Sequence, residues 1–194
     1  MTVNQEKSFV IFASGLGTNV QKIIEYFSNK LHIRIKLIVS NNPDAQVLQL
    51  AKEHNIASLL INKEDFYITD RLVKHLQNLN IDLIILAGFL WLIPENLIHA
   101  FPNKIINIHP ALLPKFGGKG MYGKYVHKAV KAAAEKETGI TIHYVNNQYD
   151  EGSVIFQTSC LIDEEDTPEL IAKKVQQLEH QYYSKVIEQI LLTL

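Results

Sequence analysis

Apolar residues along this chain fall into two kinds of run that alternate. Short continuous runs, Ser8-Phe-Val-Ile-Phe-Ala13, Ile33-Arg-Ile-Lys-Leu-Ile-Val39, Ala57-Ser-Leu-Leu-Ile61 and Ile81-Asp-Leu-Ile-Ile-Leu-Ala87, read as strands buried in a parallel sheet. Between them, Val20 to Phe27, a stretch from Asn41-Asn-Pro-Asp44 to about His54, and Glu64 to Leu79 carry apolar residues at helical spacing. Pro43 is expected near the first turn of the second helix, and the third is expected to be one helix.

Such alternation implies parallel strands joined by right-handed helical crossovers, because parallel neighbours need a long connection with one favoured hand. After Gly88-Phe-Leu-Trp-Leu-Ile-Pro94 comes a short helix to about Ala100, then the strand Lys104-Ile-Ile-Asn-Ile-His109. Pro110 and Pro114 cannot extend a ladder, so the chain should leave the sheet there, where open α/β sheets put their chemistry.

The second half changes character. Phe116-Gly-Gly-Lys-Gly-Met-Tyr-Gly123 has the composition of a mobile loop. A helix over Val126 to Glu135 and strands Gly139 to Val145 and Val154 to Ile162 follow, the strands joined by a polar turn short enough for an antiparallel pair. Asp166-Thr-Pro-Glu169 starts a last helix that runs to about Leu192. The expected class is α/β: a Rossmann-like, mostly parallel twisted sheet flanked by helices, with an antiparallel C-terminal strand pair and a long C-terminal helix. No repeat or linker divides the chain, so residues 1–194 are expected to form one domain.

Composition narrows the class further. With 47% hydrophobic and 20% charged residues and a net charge of -1, the chain suits a globular protein and has no basic stripe for nucleic acid. No apolar run reaches the roughly 18 residues of a membrane span, and the polar start Met1-Thr-Val-Asn-Gln-Glu-Lys lacks a signal-peptide core. A cytoplasmic protein without a membrane partner, monomeric or homodimeric, is expected. The single Cys160 excludes an internal disulfide and reads as a small buried hydrophobe in a strand.

Three groups could carry chemistry. The loop Gly15-Leu-Gly-Thr-Asn19 between strand and helix could hold one phosphate on backbone N–H groups, or be a tight turn capped by Thr18 or Asn19; it is neither a dinucleotide fingerprint nor a P-loop. Asn107 and His109, two apart on a strand, project from one face, where an amide and an imidazolium could both donate to an oxyanion; spacing alone equally allows them to satisfy local backbone. Asp150 lies in a turn where aspartate commonly bonds its own backbone, but if it meets His109 it would raise the imidazole's pKa. His54, His75 and His99 fall on helix surfaces, Glu179-His180 reads as a solvated pair, and no helical metal-binding array occurs, so no metal is expected. No serine elbow is present.

Together, Ser14-Gly-Leu-Gly-Thr-Asn19, Leu86-Ala-Gly-Phe89, Asn107-Ile-His-Pro-Ala-Leu-Leu-Pro114, Gly139-Ile-Thr-Ile-His-Tyr-Val145, Tyr149-Asp-Glu-Gly152 and Glu179-His180 resemble the phosphoribosylglycinamide formyltransferases in order and spacing. The resemblance implies formyl transfer from 10-formyltetrahydrofolate, as co-substrate, to glycinamide ribonucleotide in purine synthesis. It implies a phosphate site at Gly15, Gly17, Thr18 and Asn19, with Glu179 on the ribose hydroxyls. Folate would lie against Leu90, Trp91, Leu92 and Ile93 and against Val145, Asn146, Asn147 and Tyr149, and Asn107, His109 and Asp150 correspond to the catalytic trio. The phosphate-binding half would be about 1–100, and the catalytic and folate-binding half about 101–194. Trp91 stands where arginine is common, leaving backbone contacts there, and neither Ala111 for a usual serine nor Asn147 for a commonly acidic residue carries over. The glycine-rich 117–123 segment is longer than usual, and its composition suggests a lid. Rival formyl-folate enzymes, the formyltetrahydrofolate hydrolases and methionyl-tRNA formyltransferases, usually carry an extra domain for which this sequence has no room. A silent nucleotide-binding module would not need Asn107, His109 and Asp150 together.

Overall fold

The computed structural model describes residues 6–194. Strands β1 (Lys7–Phe12), β2 (Ile33–Ser40), β3 (Ser58–Leu60), β4 (Leu83–Leu86), β5 (Ile105–His109), β6 (Glu137–Tyr144) and β7 (Val154–Leu161) make one sheet in the order β3-β2-β1-β4-β5-β6-β7. Pairing is parallel from β3 across to β5; β6 is antiparallel to β5, and β7 to β6. Helices α1 (Thr18–Phe27), α2 (Gln46–Glu53), α3 (Lys63–Tyr67), α4 (Arg71–Asn78), α5 (Glu95–Ala100), α6 (Lys124–Ala132) and α7 (Pro168–Thr193) cover its faces. The expected α/β class and mixed sheet are what the chain adopts. No helix among the described residues is long and apolar enough to cross a membrane.

The continuous apolar runs follow from burial on both faces. In β1, Phe9 and Ile11 pack with Val20, Ile23, Tyr183 and Ile187 from α1 and α7, whereas Val10 and Phe12 face Phe66, Leu72, Leu76 and Leu97 from the opposite helical layer. Each such large side chain contributes roughly 1.5–3 kcal/mol when buried.

Three expectations are corrected. The second helix starts at Gln46, after Pro43, because the Asn42 side chain accepts the Asp44 N–H at 3.1 Å and its carbonyl accepts the Ala45 N–H at 3.2 Å, closing a turn first. The stretch 64–79 is two helices, not one. The Ile68 and Thr69 N–H groups both end on the Glu64 carbonyl, at 2.9 and 3.1 Å, and these β-branched residues are weak helix formers. Cys160 is half-buried rather than buried, since β7 is an outer strand.

From β1 the chain winds outward to β3, then crosses back to β4 on the other side of β1. The connections leaving the carboxyl ends of β1 and β4 therefore diverge, and a crevice opens between them. Helix α7 is fastened beneath it by the fully buried Tyr183, whose hydroxyl donates to the Leu86 carbonyl at the end of β4 at 2.8 Å. Tyr183→Phe should cost about 1–2 kcal/mol because that buried carbonyl loses its donor. The measurement is the urea denaturation midpoint.

Candidate active site

A cleft of about 830 Å³ lies over the carboxyl ends of β1, β4 and β5. Asn107 and His109 both line it, as expected for positions two apart on one strand. The antiparallel register of β5 and β6 places His143 directly opposite Asn107. Asp150 arrives from the turn between β6 and β7, where Gly152 is needed because a Cβ there would run into the Tyr144 carbonyl.

Around Asp150 the donors converge. His109 Nδ1 lies 3.4 Å from Oδ2, and the Gly118 N–H donates to the same oxygen at 2.9 Å. On the other oxygen, Asn107 Nδ2 donates at 3.5 Å and His143 Nε2 lies 3.7 Å away. His143 Nδ1 is 2.9 Å from the Tyr144 carbonyl, which fixes the proton on that nitrogen and leaves Nε2 to accept from Asn107 Nδ2 at 3.2 Å. His109 Nε2 is 2.8 Å from the Phe116 carbonyl, so both nitrogens of this ring face oxygen acceptors. Phe116 and Asp150 both hold left-handed backbone, φ 56 and 60, at about 1–2 kcal/mol each.

Asp150 meets His109 and raises its pKa, as expected, but burial outweighs it. Burial pulls the His109 imidazole below its ordinary pKa, and the opposing pull of Asp150 and of the Phe116 carbonyl does not make up for it. Asp150 is pushed up by burial, but its neighbours, among them His109 and the Gly118 amide, outweigh this and hold it below the ordinary carboxylate range. The pair at neutral pH is thus a carboxylate beside an imidazole that surrenders its proton easily.

Across the cleft, Gly17 caps α1 at φ 77, where a Cβ would also press on Val47. The first turn of α1 has neither a side-chain cap nor an acidic residue, so its N–H groups are free. Gly15 and Asn19 line the cleft, whereas Gly17 and Thr18 lie outside the lining, Thr18 accepting from Gln176 at 3.3 Å. Glu179 is not part of a solvated pair: it lines the cleft and accepts from Asn19 Nδ2 at 3.0 Å. Burial pushes its carboxyl up to about 7, with the Asn19 amide pulling the other way.

The remaining wall is apolar. Leu90, Trp91, Leu92 and Ile93 line it with Val145 and Tyr149, whereas Asn146 and Asn147 lie outside the lining and Asn146 turns back to accept the Gln148 N–H. Trp91 packs among Phe66, Tyr67 and Phe89 at 5.4 to 6.3 Å between ring centres. Two members of the site had no reading from sequence. His143 is visible only through the β5–β6 register, and Ser14, whose hydroxyl joins Asn41 to the Leu90 N–H, only through the fold. Among the described residues no group of His, Cys, Asp and Glu could hold a metal ion.

A formyl transferase family profile matches residues 7–187. The chain is 40% identical over 189 residues to a chloroplastic phosphoribosylglycinamide formyltransferase of Arabidopsis thaliana, covering 94% of this chain but only 65% of that relative's length. It is 36% identical to the phosphoribosylglycinamide formyltransferase of Bacillus subtilis, covering 95% of each chain. The crystal structure of the enzyme of that name from Anaplasma phagocytophilum superposes with a TM-score of 0.87 at 30% identity, over 97% of this chain and 89% of that one.

Two outcomes follow from the charges. Asp150→Asn removes a cause that raises the His109 pKa, so that pKa should fall further, read by NMR titration of the ring; asparagine tolerates the left-handed backbone. Glu179 has a folded pKa of about 7 against a lower unfolded value, so its ionisation destabilises the free protein as pH rises through that interval. Glu179→Gln should therefore raise the melting temperature at pH 8 and change it little at pH 4; an equal shift at both would contradict the assignment.

Proposed function

Because the chain belongs to the formyl transferase family, we propose that it transfers the formyl group of 10-formyltetrahydrofolate to the amine of glycinamide ribonucleotide, in purine synthesis. The observation that carries this reading is the convergence of Asn107, His109 and Asp150 at the carboxyl end of β5, in one cleft with a free helix N-terminus and an apolar wall. The first suits a phosphate, and the second suits a flat heteroaromatic ring. The phosphate groups come from the N-terminal half, with Glu179 on the ribose hydroxyls.

In this mechanism the amine attacks the formyl carbon directly, and the carbonyl oxygen becomes an oxyanion. The Asn107 N–H that reaches Asp150 at 3.5 Å is held weakly and is available to that oxygen, while His143 keeps the other N–H and so fixes the amide plane. His109 donates from Nε2, exchanging the Phe116 carbonyl for the oxyanion. Its depressed pKa in the free protein becomes useful: negative charge appears beside the ring only as the transition state forms, so protonated His109 is favoured there more than in the ground state. Asp150 holds the ring through Nδ1 and balances its charge, and proton transfer from the amine passes through water to it. No covalent enzyme intermediate is required.

A transfer assay with purified protein and both substrates tests the reading. Formyl loss should require the ribonucleotide, and loss without it would indicate hydrolysis. His109→Ala and Asp150→Asn should each lower turnover at least about 10²-fold with folding intact, the scale of losing an oxyanion donor. Near-normal turnover in either would remove that residue from the mechanism.

A further inference from the structure

One polar group in the cleft wall is left over by this mechanism. Among the described residues, four buried side-chain atoms lack a hydrogen-bond partner, and of these residues His127 alone lines the cleft. The ring is 7% exposed and its Nδ1 is the orphan. A buried N–H without an acceptor is disfavoured more than a buried lone pair, so the proton belongs on Nε2. Burial, and then the charge of nearby His109, hold the ring below its ordinary pKa, so it meets the cleft as a neutral donor.

Its surroundings select the acceptor. Helix α6 starts at Lys124, after Gly123, with no side-chain cap and no acidic residue in its first turn, so the positive end of its dipole is uncompensated even though the Tyr125 N–H is taken by the Tyr122 carbonyl at 3.1 Å. Lys124, at the start of that helix, lines the cleft and lies three residues before His127, hence on the same face. The same cleft is lined by Gly15 and Asn19 at the uncapped start of α1. Two helix N-termini, an ammonium and an imidazole N–H lining one cleft are complementary to a compact dianion.

We propose that His127 donates from Nε2 to the phosphate monoester of the bound nucleotide, so that the phosphate is clasped between the first turns of α1 and α6 rather than held by the α1 loop alone. The identity of the nucleotide rests on the formyl-transfer reading; the clasp itself is a property of the free cleft.

Calorimetric titration of ribose 5-phosphate into the full chain tests it without requiring turnover. His127→Ala should weaken binding about tenfold, as expected for one hydrogen bond to a charged group. His127→Gln, whose amide nitrogen reaches about as far as Nε2, should retain most of the affinity, and His127→Asn, which reaches only as far as Nδ1, should not. In the transfer assay the alanine and asparagine changes should raise KM for the ribonucleotide, and the glutamine change should raise it little, while kcat and the folate KM stay near their original values. Unchanged affinity in the alanine variant, equal affinity in the glutamine and asparagine variants, or no saturable binding to the native chain would overturn the proposal. Failed turnover by a native chain that binds ribose 5-phosphate through His127 would instead count against the formyl-transfer reading alone.

Discussion

A carboxylate withdrawn from water must find its hydrogen bonds inside the protein, and Asp150 is surrounded by groups drawn from separate parts of the chain. Asn107 and His109 come from β5, His143 from β6, and the Gly118 amide from the glycine-rich loop. Without the carboxylate, a proton on His109 would lose the charge that balances it, and His143 already opposes the charging of that ring. The left-handed backbone at Phe116 and Asp150 is the strain accepted to bring a carbonyl and a carboxylate to the two nitrogens of one ring.

The sheet makes this meeting possible. Reversal into β6 sets His143 against Asn107, and the turn after β6 carries Asp150 back over His109. The divergence between β1 and β4 supplies the rest of the cleft, and Ser14 ties its two sides by bonding both Asn41 and the Leu90 N–H.

Much of this was legible in the amino-acid order, because the buried strands are short, continuous and punctuated by glycine and proline, and because Asn107 and His109 share a face by strand geometry alone. The break at Ile68–Asp70 was not, since a helical apolar period continues across it while two N–H groups compete for one carbonyl. Glu179 looked solvated because its burial depends on α7 packing beside Asn19, a contact between residues 160 positions apart. The burial that outweighs the pull of Asp150 on His109 was not visible for a related reason. Adjacency to Asp150 can be anticipated from a motif, but the amount of water excluded around the ring is a property of the folded whole. His143 and His127 needed a register and a cavity before they meant anything.

The antiparallel seam between β5 and β6 also governs which changes of chain length the protein can absorb. Side chains alternate across a strand, so one residue inserted within Ile105–His109 or Glu137–Tyr144 would turn every later side chain to the opposite face and exchange Asn107, His109 or His143 for isoleucine. The segment from Lys119 to Gly123 carries no such parity, because it is anchored at Gly118 and leads into a new helix. Changes of length that keep the site intact therefore fall in the loops, and the strands that bear it tolerate substitution only.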